Sequence, residues 1–77
     1  MSMPTKYVPN GNERIEVITY KGERIKILLN SQGIPLGINP SLLTEGGKKV
    51  YWITTIENIK DSELKKRIEI TFGGSYY

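Results

Sequence analysis

Glu13–Leu29 reads ERIEVITYKGERIKILL, and how its two halves face each other decides the fold. Ile15, Val17 and Thr19 alternate with Arg14, Glu16 and Ile18. Beyond Lys21-Gly22, Ile25, Ile27 and Leu29 alternate with Arg24, Lys26 and Leu28, the period of two expected of half-buried strands. Two such runs around a Lys-Gly turn make a β-hairpin. A three-residue loop, Tyr20-Lys21-Gly22, sets Val17 opposite Ile25 and Ile15 opposite Ile27, with Gly22 at the left-handed position. It also brings Glu16 opposite Lys26 as a cross-strand ion pair. A two-residue loop sets Val17 opposite Lys26 and mixes the faces, so the three-residue loop is the expectation, with Ile15, Val17, Ile25 and Ile27 turned inward together.

Outward from the hairpin, Met1–Asn12 carries Pro4, Pro9 and Asn10-Gly11-Asn12. It reads as a flexible or loosely docked arm with Tyr7 and Val8 as its anchors. On the other side, Ile34–Ile38 contains Pro35, which cannot donate to a ladder, and reads as an edge strand or extended crossover. Asn39–Gly46 has the punctuation of a one-turn helix: Asn39 as N-cap, Pro40 at the first helical position and Gly46 past the end. Leu42 and Leu43 are then placed to plug one mouth of the sheet. Lys48–Glu57 is the strongest second strand, with Val50, Trp52, Thr54 and Ile56 on one face and Tyr51, Ile53 and Thr55 on the other. Asp61 caps a short helical turn, and Ile68, Ile70 and Phe72 alternate in a last strand.

The reading is therefore mainly β: a small antiparallel sheet of four to five strands, with one or two single-turn helices, curled into an SH3-like or OB-like half-open barrel. A flat sheet with a helix on one face is the runner-up. In domain terms, residues 1–12 are the arm, 13–72 a single small β domain and 73–77 a tail; 77 residues leave room for no second core.

Composition removes most chemistry. The chain has no cysteine and no histidine, so thiol redox chemistry, zinc–thiolate sites and histidine-activated nucleophiles are excluded. Its eight acidic residues have no metal-ligand spacing. Glu57 and Asp61 as a carboxylate pair read better as turn or cap residues. Gly46-Gly47-Lys48-Lys49 lacks the spacing of a phosphate loop and reads as a plain turn. No enzyme activity, cofactor or metal is expected. No run is long enough to span a bilayer and no secretory signal is legible, so the expectation is a cytoplasmic protein. Abundant Lys, Glu and Ile without Cys or His fits a thermophile or an AT-rich genome equally.

Binding remains. The net charge is +3, which permits an anionic partner without demanding one. Lys21 and Arg24 sit near the hairpin tip beside Tyr20, Lys26 follows on the outer face, and Lys48, Lys49, Tyr51 and Trp52 fall within five residues. Cations interleaved with aromatic rings suit phosphate contact and base stacking. Trp52 shares a face with Val50 and Ile56 and reads as the core's largest side chain, leaving Tyr51 as the better platform. Lys65-Lys66-Arg67 reads as a solvated helix end.

The tip Tyr20-Lys21-Gly22-Glu23 and the strand Lys48-Lys49-Val50-Tyr51-Trp52 resemble pieces of the small basic archaeal chromatin proteins of the Sul7d type. That family has an SH3-like barrel, a Tyr-Lys-Gly-Glu tip and a Lys-Lys-Val-Trp strand whose tryptophan lies on the DNA-binding surface. The resemblance implies a DNA-binding barrel of archaeal kind.

From sequence, then, the chain is a non-enzymatic module binding nucleic acid, DNA first, through Lys21, Arg24, Lys26, Lys48, Lys49, Tyr51 and Trp52. The alternative is a protein-interaction subunit or inhibitor docking on a larger assembly through a sheet edge near Ile34–Ile38 or the Tyr51/Ile53 face.

Overall fold

The computed structural model of the chain describes residues 4–72; the tail 73–77 lies outside them. Five strands form one antiparallel sheet: β1 (Thr5–Tyr7), β2 (Arg14–Tyr20), β3 (Glu23–Leu29), β4 (Pro35–Glu45) and β5 (Lys48–Thr55), in the spatial order β1-β5-β4-β3-β2. A single 3-10 turn, Ile56–Asn58, leads to one helix, α1 (Ser62–Phe72). β1 and β2, at the two ends of the sheet, do not pair with each other, so the sheet is not closed and the half-open form expected is the one found.

The register of the first hairpin differs from the sequence expectation. Tyr20 pairs with Glu23, Val17 with Lys26 and Glu16 with Ile27, so the loop is the two residues Lys21-Gly22. Both have positive φ, 50° and 80°, which is the geometry whose twist matches that of the flanking strands. This register joins Ile18 and Tyr20 of β2 to Ile25, Ile27 and Leu29 of β3 on one face. Ile15 and Val17 lie on the opposite face and stay 43% and 51% exposed, and Glu16 lies by Arg14 at 3.5 Å instead of Lys26.

Four other segments depart from expectation. Thr5–Tyr7 of the arm is an edge strand, with Tyr7 opposite Tyr51. Ile34–Ile38 does not form an edge: β4 lies between β3 and β5. Asn39–Gly46 is no helix, because β4 runs through to Glu45 and pairs with β5 from Ser41 onward. The helix punctuation instead marks a bulge: two residues, Asn39 and Pro40, face the single residue Ile53, and Asn39 takes φ 53°. Leu42 and Leu43 consequently stand half-exposed and plug nothing. Finally, Ile68–Phe72 is not a strand but the second half of α1.

The bulge also coincides with the end of the β3–β4 ladder. Pairing of β3 with β4 ends at Ile27–Ile38, and past Asn39-Pro40 the outer half of β4 continues with β5 alone. The hairpins β2–β3 and β4–β5 thus point their tips toward the same end of the sheet, with no ladder between them there.

α1 covers one face of this sheet. Asp61 Oδ1 accepts the backbone N–H of Glu63 at 3.0 Å and of Leu64 at 3.2 Å, an N-cap of the usual kind. Leu64, Ile68 and Phe72 follow at intervals of four, one stripe of the helix. Leu64 and Ile68 are buried with Ile27, Leu29 and Ile38, and Phe72, Ile18, Tyr20, Ile25, Ile56 and Ile59 pack around them. On the opposite face the buried strand residues among those described are Leu28, Gly37 and Ile53, at the middle of the sheet. Gly37 keeps that middle closed: a Cβ there would lie 2.6 Å from the Thr54 carbonyl oxygen and 2.9 Å from Ile53 Cδ1.

Candidate nucleic-acid interface

The register sorts the strand-borne charges by face. Successive side chains alternate and cross-strand partners share a side, so the pairs Val17–Lys26, Leu28–Gly37, Gly37–Thr55 and Leu42–Tyr51 trace a single face. It is the face without the helix. Its strand residues include Arg24, Lys26 and Lys49, all exposed, and no carboxylate. The three acidic residues in the strands, Glu16, Glu23 and Glu45, all lie on the helix side.

On the helix side the charges engage one another. Lys6 Nζ is 2.7 Å from Glu45 Oε1, and the Trp52 ring N–H donates to Glu45 Oε2 at 3.3 Å. These contacts, Lys6 foremost, hold the Glu45 carboxyl below its ordinary pKa. Trp52 is therefore half-buried at the surface, bonded to an exposed carboxylate and outside the core cluster, contrary to its expected place as the core's largest side chain. Lys48 stands opposite Glu45 in the β4–β5 ladder, across the Gly46-Gly47 turn. Lys21 leans over the Tyr20 ring, 5.4 Å from its centroid, and Tyr20, then Asp61 and Glu63, keep its ammonium above its ordinary pKa.

Beside Lys49 the cation face opens into a groove of about 590 Å³, lined by Val8, Pro9, Glu13, Leu42, Lys48 and Tyr51 among others. Its one carboxylate is occupied. Glu13 accepts the Tyr7 hydroxyl at 2.6 Å and the backbone N–H groups of Asn10 and Gly11 at 3.1 Å. The Tyr7 bond is the main reason its carboxyl sits below the ordinary range, and the same bond raises the Tyr7 hydroxyl. Glu13 thus folds the Val8–Asn12 loop against β1 and forms the groove's wall.

Of the seven residues singled out in the sequence, Arg24, Lys26, Lys49 and Tyr51 share the helix-free face, with Lys48 at the groove's rim. Lys21 and Trp52 belong to the helix side, as does Lys48 by its register opposite Glu45, although it also lines the groove. The expected Tyr51/Ile53 apolar patch does not form, since Ile53 is 3% exposed and Tyr51 half-buried. The groove wall from Tyr7 to Glu13 was missed as part of a site, although Tyr7 and Val8 already stood out as the arm's anchors. Among the described residues, no group of three or more His, Cys, Asp or Glu is placed to hold a metal ion, and no helix is long and apolar enough to cross a membrane. Comparison with protein-family models, curated proteins and solved structures gives no match.

Proposed function

We propose that the protein is a non-enzymatic nucleic-acid-binding module that lays the helix-free face of its sheet along the backbone of DNA. The observation that carries this reading is the sorting of strand charges: Arg24, Lys26 and Lys49 on one face and every strand carboxylate on the other. Cations without competing carboxylates suit a row of phosphates, because each phosphate neutralised releases condensed counterions. Lys48 extends the row at the rim of the groove, and Tyr51 offers an aromatic edge beside Lys49 for a base or sugar. In the Lys-Lys-Val pattern shared with the Sul7d type, Tyr51 takes the place of that family's tryptophan, on the cation face. Lys21 and Trp52 serve the hairpin tip and the helix side instead. A cytoplasmic location belongs to the same proposal.

The test is a fluorescence titration of a labelled duplex at two salt concentrations. Affinity falls steeply with salt, and Lys26→Glu or Lys49→Glu weakens binding to all sequences alike, whereas Lys66→Glu on the helix leaves it nearly unchanged. Binding indifferent to salt, or weakened most by Lys66→Glu, contradicts the proposal.

The competing reading, a protein-docking subunit, has lost its two original surfaces, since Ile34–Ile38 is central and Ile53 is buried. The observation that keeps it is the long outer edge of β2 with Ile15 and Val17 exposed beside it. Co-purification of a stable partner without any shift of oligonucleotides supports it over the first reading.

A further inference from the structure

The outer edge of β2 is unpaired among the described residues, since β2 ends the sheet and is bonded only to β3. In a two-residue hairpin the residues flanking the turn exchange both backbone hydrogen bonds. Tyr20, Ile18, Glu16 and Arg14 therefore bond toward β3, and the N–H and C=O groups of Thr19, Val17 and Ile15 point to the free edge. Edges of this kind are normally blunted by shortness, proline, charged side chains (lysine above all) or a bulge. The opposite edge fits that description, as β1 has three residues and includes Lys6. By contrast, β2 has seven residues, RIEVITY, with no proline, lysine or bulge, and its two charges, Arg14 and Glu16, lie 3.5 Å apart, toward one end of the strand, leaving Val17–Tyr20 uncharged.

This edge complements itself. In an antiparallel pair of identical strands, outward-bonding residues must meet outward-bonding residues, which restricts the two-fold axis to a few positions along β2. An axis at Glu16 sets two glutamates face to face. One at Ile18 pushes Arg14 past the end of the partner strand. With the axis at Val17 all seven residues pair: Val17 with Val17, Ile15 with Thr19, Glu16 with Ile18 and Arg14 with Tyr20. No charge then faces its own copy, and the exposed Ile15 and Val17 side chains of the two chains form one apolar stripe on the helix-free face.

We propose that two copies of this chain join edge to edge through β2, antiparallel about a two-fold at Val17, into one continuous sheet. Such an axis is perpendicular to the sheet, so the Arg24 and Lys26 side chains of both copies face the same way. The joined sheet presents one cation face of double width. The pairing follows from the free edge alone and does not depend on the nucleic-acid reading.

Sedimentation equilibrium of the full chain, without nucleic acid, tests it. The mass rises from one chain of 8.7 kDa toward two as concentration increases to about 1 mM. Val17→Lys sets like charges against each other on the axis and returns the chain to monomer, with circular dichroism confirming the fold. Because the chain lacks cysteine, Val17→Cys adds an independent readout: bonded antiparallel pairs place Cα atoms about 5.5 Å apart, within disulfide reach. That variant cross-links under mild oxidation and Thr44→Cys, on β4, does not. A chain that stays monomeric throughout with no cross-link at position 17 overturns the proposal. So does a dimer that survives Val17→Lys, or equal cross-linking from both positions.

Discussion

The Tyr20 hydroxyl donates to both carboxylate oxygens of Asp61, at 3.2 and 3.1 Å, across 41 positions of sequence. The hairpin tip is thereby tied to the N-cap of α1, because the same carboxylate accepts the first free N–H groups of the helix. Asp61→Ala removes cap and tie together, whereas Tyr20→Phe removes the tie alone. Thermal unfolding followed by circular dichroism is expected to rank them in that order, both below wild type. Equal midpoints for Asp61→Ala and wild type contradict the capping role.

That carboxylate also gives stability a pH dependence of defined sign. Asp61 is held below its ordinary pKa, first by the Leu64 N–H, with Tyr20 and Glu63 N–H adding to it; Glu13 and Glu45 are lowered as well. The folded state then binds protons less readily than the unfolded chain. The stabilisation is complete above the unfolded carboxylate values of about 4 and is lost as pH falls through the lower folded values. The urea midpoint should fall between neutral pH and about pH 3, and Asp61→Asn should start lower and fall less. A midpoint that rises on acidification contradicts this.

Helix packing makes a sharper prediction. Ile68 is fully buried and Ile70, two residues on, is 70% exposed. Ile68→Ala should cost about 2–5 kcal/mol, and Ile70→Ala at most about 0.5 kcal/mol, as measured by urea denaturation. Similar losses at both positions would be incompatible with α1 as described and would favour a strand there.

Gly37 tests the centre of the sheet. An added methyl must displace either the Thr54 carbonyl or Ile53, so Gly37→Ala should destabilise by about 1–3 kcal/mol. Gly46→Ala meets no atom, but Gly46 has φ 57°, so its smaller cost comes from backbone strain. The ratio of the two in the same denaturation assay separates crowding from strain.

These residues also show where the sequence was readable. Strands β2, β3 and β5 follow directly from period-two alternation, but the register does not. Apolar residues occupy both parities, Ile15 and Val17 against Ile18 on β2 and Ile25 and Ile27 against Leu28 on β3. Pattern alone cannot choose between two loops, and the choice falls to the positive φ values of Lys21 and Gly22. Ile68-Glu69-Ile70-Thr71-Phe72 is similarly double-valued: it alternates like a strand, yet Leu64, Ile68 and Phe72 also fall every four residues, and a capped helix wins by burying Ile68. Asn39-Pro40 carries helix-start chemistry that serves equally for a bulge: the missing N–H of Pro40 suits both, and Asn, a common N-cap, is also a residue that tolerates the positive φ of 53° found here. The cations of the candidate site were legible by position. Their sorting onto one face was not, because it depends on the register that the turn decides.

The most direct test of the account is a methyl-resolved NMR titration of the chain with a short DNA duplex. Val17 and Leu42 lie exposed on the cation face, and Ile70 lies exposed on α1. The account predicts progressive shifts of the Val17 and Leu42 methyls, reversed by added salt, with Ile70 unmoved. Shifts centred on Ile70 and its neighbours on the helix, with Val17 and Leu42 silent, would contradict it.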